Sequence, residues 1–105
     1  LPFRWERIQP VRGAALNATE LDRLKTCVGQ IRTAGMTAIL DVHNYARFIR
    51  SAADGGATLV LGGTLALADL TDLWGRLSAA FRGNAGVYAY GLMNDERTVE
   101  RLPTK

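Results

Sequence analysis

Arg4 with Trp5, His43 with Asn44, and Asn94 with Asp95 each close a short apolar run in a chain of 105 residues. A cation, an imidazole, two amides, an indole and a carboxylate gathered at one rim suit a polyhydroxylated substrate. Charged groups and amides bond hydroxyls, and an aromatic face such as Trp5 or Tyr45 stacks on a sugar ring. Each residue also has a plainer role. Arg4 can pair with Asp41 or Asp95, a lone histidine such as His43 is more often structural, Trp5 and Tyr45 are core or rim residues in most proteins, and Asp95 and Glu96 fit a solvated tail as well as an acid role. His43 has no partner at a ligand spacing, so the sequence offers no metal site, and nothing in it calls for a cofactor. Cys27 is the only cysteine, which rules out an internal disulfide, and its helical neighbours make it a buried small apolar residue.

The elements that must position these residues follow from the hydrophobic period. Residues 1–5 are apolar and aromatic and read as a strand that starts at Pro2. Leu21, Leu24, Val28 and Ile31 recur at three and four, one face of a helix, with Asn17 and Glu20 as a capping box and Gly35 as the stop. Ala38, Ile39 and Leu40 form a buried strand that delivers Asp41, His43 and Asn44 at its C-terminal end. Residues 45–64 hold four glycines and no helical period, a long loop in which residues 58–61 can pair briefly as a strand. A second helix carries Leu67, Leu70, Trp74, Leu77 and Phe81 and closes at Gly83 and Asn84, so Trp74 and Phe81 are packing residues. Residues 87–93 are the next apolar strand. The order strand, helix, strand, helix, strand predicts a parallel α/β architecture whose polar groups meet at the C-terminal strand ends.

Composition bounds the rest. With 48% hydrophobic residues the chain is of the globular class, and its length allows one domain. The net charge is +3, but the 13 basic residues, all arginine except Lys25 and Lys105, are scattered among acids, so no nucleic-acid partner is expected. No apolar stretch is long enough to span a membrane, and the first residues lack the order of a secretion signal. After Asn94 charges crowd without an apolar period, which separates residues 1–94 from a divergent tail, 95–105. Helices on one side of three strands leave a bare sheet face and two unpaired edges, through which the chain can self-associate.

Three strings carry a specific resemblance. Phe3-Arg4-Trp5-Glu6-Arg7-Ile8-Gln9-Pro10, Leu40-Asp41-Val42-His43-Asn44-Tyr45-Ala46-Arg47 and Tyr90-Gly91-Leu92-Met93-Asn94 resemble, in order and separation, three successive strand ends of family-five glycoside hydrolases, the cellulase family. The resemblance implies a fragment of a (β/α)8 TIM barrel, its second to fourth strands, where a whole barrel takes about 250 residues. It further implies a secreted, extracellular parent that cleaves β-1,4-glucan with retention, through two carboxyl groups about 5 Å apart. By position, Arg4 would orient the nucleophile, His43 would bond sugar hydroxyls with Asn44 beside it, and Asn94 would bond the 2-hydroxyl. Where the family has Asn-Glu-Pro this chain has Asn94-Asp95-Glu96, so Asp95 occupies the general-acid position; Glu96 replaces it only if the strand end bulges by one residue. The nucleophile strand has no counterpart here, which implies a chain that is inactive alone, or one that binds β-glucan or cellooligosaccharide without cleaving it.

Overall fold

The computed structural model describes residues 1–44, 47–50 and 55–93. Its centre is β2 (Ala38–Val42), whose alternation decides the layering: Ala38, Leu40 and Val42 are buried, while Ile39 between them is half exposed. Strand β1 (Pro2–Phe3) pairs with one side of β2 and β5 (Val87–Gly91) with the other, both in parallel, giving the sheet order β1-β2-β5. The parallel α/β architecture expected from the order of the elements is therefore present.

Helix α2 (Ala18–Thr33) presents Leu24 and Val28, and α3 (Leu67–Ala80) presents Leu70, Leu73, Trp74 and Leu77, to one cluster with Ala38, Leu40 and Val42. Both helices thus cover the same face of the sheet. Burial on that face explains why β2 alternates in exposure despite its apolar sequence: among the described residues no helix covers the side of Ile39, Asp41 and His43.

The helix ends follow the sequence closely, with one difference. Asn17 Oδ1 accepts the Glu20 N–H at 2.9 Å, as an N-cap should. The reciprocal half of the box is not made, because Asn17 N–H donates to the Ile8 carbonyl at 2.7 Å and the Glu20 carboxylate binds Arg7 and Arg23 instead. At the other end Gly35 takes φ 87°, and Met36 N–H reaches the Ile31 carbonyl at 3.1 Å, the closure that a left-handed residue permits. Gly86 is required for a different reason: a Cβ there would lie 2.7 Å from Val28 Cγ1, so only glycine lets α2 approach the start of β5.

Three expectations need correction. The first strand is only two residues long, since Arg4 is still extended but residues from Trp5 turn into the short helix α1 (Trp5–Ile8). The long loop contains an antiparallel hairpin, β3 (Arg47–Ile49) with β4 (Thr58–Val60), which buries Phe48 and Leu59 under the sheet's C-terminal end. Cys27 is exposed: it lies at the margin of α2's apolar stripe, beside Leu1 and Phe3 in a cleft of about 170 Å³ at the edge of β1, where no other described element covers the helix.

Candidate functional site

The register fixes which side chains share a rim. Pro2 stands opposite Asp41, and Phe3 opposite Val42, so Arg4 comes level with His43 at the C-terminal ends of β1 and β2. The His43 N–H donates to the Phe3 carbonyl at 3.1 Å, which locks the two strand ends together. Arg4 keeps extended backbone angles (φ −99°, ψ 136°), so alternation through β1 sets it on the side of Asp41 and His43, at the mouth of the cleft that β1 forms with α2. On β5, Gly91 pairs with Asp41, and Asn94 follows just beyond the described residues.

Within this rim the imidazole is held by its own strand. His43 Nδ1 lies 3.4 Å from Asp41 Oδ2; the histidine side chain is 38% exposed and the aspartate 15%. Asp41 is flanked by Pro2 on one side and Gly91 on the other, and a Cβ at Gly91 would approach its Oδ1 to 3.3 Å. The two neighbours without a long side chain leave the carboxylate a slot in the sheet. Cation, imidazole and sheltered carboxylate together can donate and accept hydrogen bonds to hydroxyl groups. No group of three histidine, cysteine or acidic residues that could hold a metal occurs among the described residues.

Two residues expected at the rim are turned from it. Trp5 is fully buried, edge-on to Phe48 with ring centroids 5.0 Å apart, and its Nε1–H donates to Gln9 Oε1 at 2.8 Å. Asn44 is 3% exposed, and both ends of its amide are committed: Oδ1 accepts the Trp5 N–H at 3.0 Å, while Nδ2 donates to Glu6 at 2.7 Å and to the Arg47 carbonyl at 2.9 Å. Glu6 Oε2 also accepts the Ile49 N–H at 2.8 Å. Asn44 is thus a clasp that ties β2, α1 and the β3–β4 hairpin beneath the rim. The cause is the end of the extended backbone: Trp5 opens α1 and Asn44 sits in the bend after β2, so the chain turns both behind the rim, where the Trp5 N–H meets Asn44 Oδ1. Tyr45, Asn94, Asp95 and Glu96 lie outside the described residues.

Gln9 is a structural node that the sequence did not single out. It is fully buried, accepts from Trp5, and donates through Nε2 to the Ala14 carbonyl and to Asp72 Oδ2, both at 2.9 Å. Asp72 in turn accepts from Arg76 Nε at 3.0 Å. The hydrogen bond from Gln9, aided by Arg76 and opposed by desolvation, holds the Asp72 carboxyl below the usual aspartate range. Nothing in the local pattern marks Gln9 apart from its place after the apolar Ile8; its partners are supplied by the loop and by α3.

A parallel α/β unit with helices on one face and its polar groups at the C-terminal strand ends defines the class: a segment of a β/α barrel. The comparisons give the family. The model described as Cellulase (glycosyl hydrolase family 5) matches residues 1–101, and the chain belongs to that family. It is 37% identical over 102 residues to Endoglucanase 1 of Robillarda sp. (strain Y-20), covering 89% of this chain and 26% of that protein. An endo-β-1,4-glucanase from Xanthomonas axonopodis pv. citri superposes with a TM-score of 0.76 at 36% identity, over 91% of this chain and 28% of the other. Pseudomonas stutzeri endoglucanase Cel5A in complex with cellobiose superposes with a TM-score of 0.74 at 30% identity, over 89% of this chain and 26% of the other. The chain therefore spans about a quarter of the length of the relatives it matches.

Proposed function

We propose that this chain supplies part of the sugar-facing rim of a retaining β-1,4-glucanase and, as 105 residues, holds cellooligosaccharide without hydrolysing it. The observation that carries the reading is that Arg4 and His43 stand level at the C-terminal ends of adjacent parallel strands, where a β/α barrel keeps its working groups. Family membership and the cellobiose-bound relative agree with a glucan ligand. By their places in the motif, Asn94 takes the 2-hydroxyl and Asp95 the general-acid position, with Glu96 as its alternative, and the parent protein is secreted. Retaining hydrolysis requires a second carboxyl group about 5 Å from the acid. The carboxylate on the uncovered face among the described residues is Asp41, and it is occupied by His43.

The test is a titration of the chain with cellotetraose, followed by nuclear magnetic resonance, alongside an assay on carboxymethylcellulose. Shifts confined to Arg4, His43 and their neighbours, with an affinity on the order of 1 mM and no reducing sugar released, are expected. An unchanged spectrum at ten times that concentration overturns the binding role. Hydrolysis that disappears in Asp95→Ala overturns the inactivity and assigns the acid to Asp95.

A second reading concerns a second copy of the chain. β5 pairs with β2 on one side only among the described residues, and beside its outer edge Tyr90, Leu92, Leu67, Leu70 and Trp74 line an apolar cleft of about 400 Å³. Tyr88, 77% exposed, and Leu92, 60% exposed, flank the same edge. An unpaired strand beside exposed apolar side chains is a template for edge-to-edge pairing. Sedimentation equilibrium is expected to show concentration-dependent dimers that Leu92→Lys weakens; a monomer across the whole concentration range excludes this association.

A further inference from the structure

We propose that Asp41 is a positioning residue that fixes His43 as its Nδ1–H tautomer, so that Nε2 presents a lone pair to a sugar hydroxyl; the second half of this statement rests on the function proposed above. A neutral imidazole carries its proton on either nitrogen, and the choice is set by the hydrogen bond the other ring atom makes. Here Nδ1 faces Asp41 Oδ2 at 3.4 Å, and an ionised carboxylate only accepts, so the proton belongs on Nδ1. The spacing is long for a hydrogen bond, so the carboxylate orients the ring more than it binds it.

The surroundings of Asp41 support a dedicated role. It lies in the central strand of the sheet with its side chain only 15% exposed. Gly91 opposite leaves room for the carboxylate, and Pro2 on the other side brings no competing donor. Arg4, two residues beyond Pro2, comes level with His43 and brings a cation to the same rim. The pair is two residues apart along one extended segment, so the backbone there sets its spacing.

His43 is the only histidine in the chain, so its ring nitrogens give unambiguous signals. The tautomer is read from imidazole nitrogen shifts at about pH 8.5, where a histidine of ordinary pKa is neutral. The wild-type chain is expected to be mainly Nδ1–H. Asp41→Asn places an amide that can donate to Nδ1 and is expected to move the population to Nε2–H, with cellotetraose affinity falling about tenfold, the worth of one neutral hydrogen bond. Gly91→Ala, which presses on the carboxylate while leaving it in place, is expected to move the tautomer ratio in the same direction by a smaller amount. A wild-type chain found mainly as Nε2–H overturns the proposal by itself, with no variant needed. The expected tautomers without any response of wild type to sugar confirm the lock and overturn the sugar-binding reading. A tautomer that switches in Asp41→Asn with affinity unchanged overturns the role of Nε2 as the acceptor.

Discussion

Gln9→Leu is expected to lower the stability of the chain by about 3 kcal/mol, enough to move the thermal midpoint by about 15 °C in a domain of this size. Leucine keeps the volume but takes a partner from three groups: the buried Trp5 Nε1–H and the Ala14 carbonyl lose their hydrogen bonds to Gln9, and the Asp72 carboxylate is left with Arg76. An unsatisfied buried donor retains its full desolvation cost, which outweighs the transfer gain of a leucine side chain in a site already closed to water. The same variant has a pH signature. Asp72 in the folded chain binds its proton less readily than in the unfolded one, so it contributes stability above the unfolded aspartate value, about pH 3.9, and that contribution is lost as the pH falls through this value toward the folded one. Gln9 is the largest cause of the depression, so Gln9→Leu is expected to unfold with a shallower loss of stability between about pH 5 and pH 3 than wild type. Urea unfolding followed by tryptophan fluorescence across that range measures both effects. Equal stability of the two chains at neutral pH would remove Gln9 from the architecture described here.

Asn44→Ala is expected to cost about 3 kcal/mol as well, and its pattern separates a clasp from a ligand contact. The substitution leaves the Trp5 N–H, buried beneath the rim, without an acceptor, and takes from Glu6 the donor that shares it with Ile49. Hydrogen exchange should then accelerate first in β3 and β4, whose attachment to the sheet runs through Asn44 and Glu6, and only later in β2 and β5. A residue that contacted sugar at the rim would behave in the opposite way, with glucan affinity lost and stability unchanged. Asn44→Ala with native stability and weakened cellotetraose binding would return Asn44 to the substrate face.

Both predictions concern residues inside the strongest sequence motifs, and this bears on how such motifs are read. Phe3-Arg4-Trp5-Glu6-Arg7-Ile8-Gln9 and Asp41-Val42-His43-Asn44 each combine two functions on one short segment. Arg4, Asp41 and His43 face the uncovered side of the sheet, while Trp5, Gln9 and Asn44 build the layer that holds the first group in place. Polar type alone does not separate the two sets. The local backbone does: Trp5 and Gln9 belong to α1 and its end, and Asn44 sits in the bend where the chain leaves β2.

What the sequence determined by itself was everything that depends on local period and local backbone. The apolar spacing of three and four set both long helices, Asn17 and the left-handed glycines Gly35 and Gly83 set their ends, and the alternation of strand and helix set a parallel sheet with polar residues at its C-terminal ends. The tertiary structure alone decided what depends on partners distant in the chain. The strands β3 and β4 are three residues each, too short to show a period, and exist because Phe48 and Leu59 find the core. Cys27 is exposed because the sheet ends at β1, and Gln9 and Asn44 are buried because Asp72 and Glu6, 63 and 38 residues away, supply the hydrogen bonds that make burial of an amide affordable. A polar side chain carries the same letter in either environment; whether it faces solvent, sugar or core is settled only when the groups that satisfy it arrive.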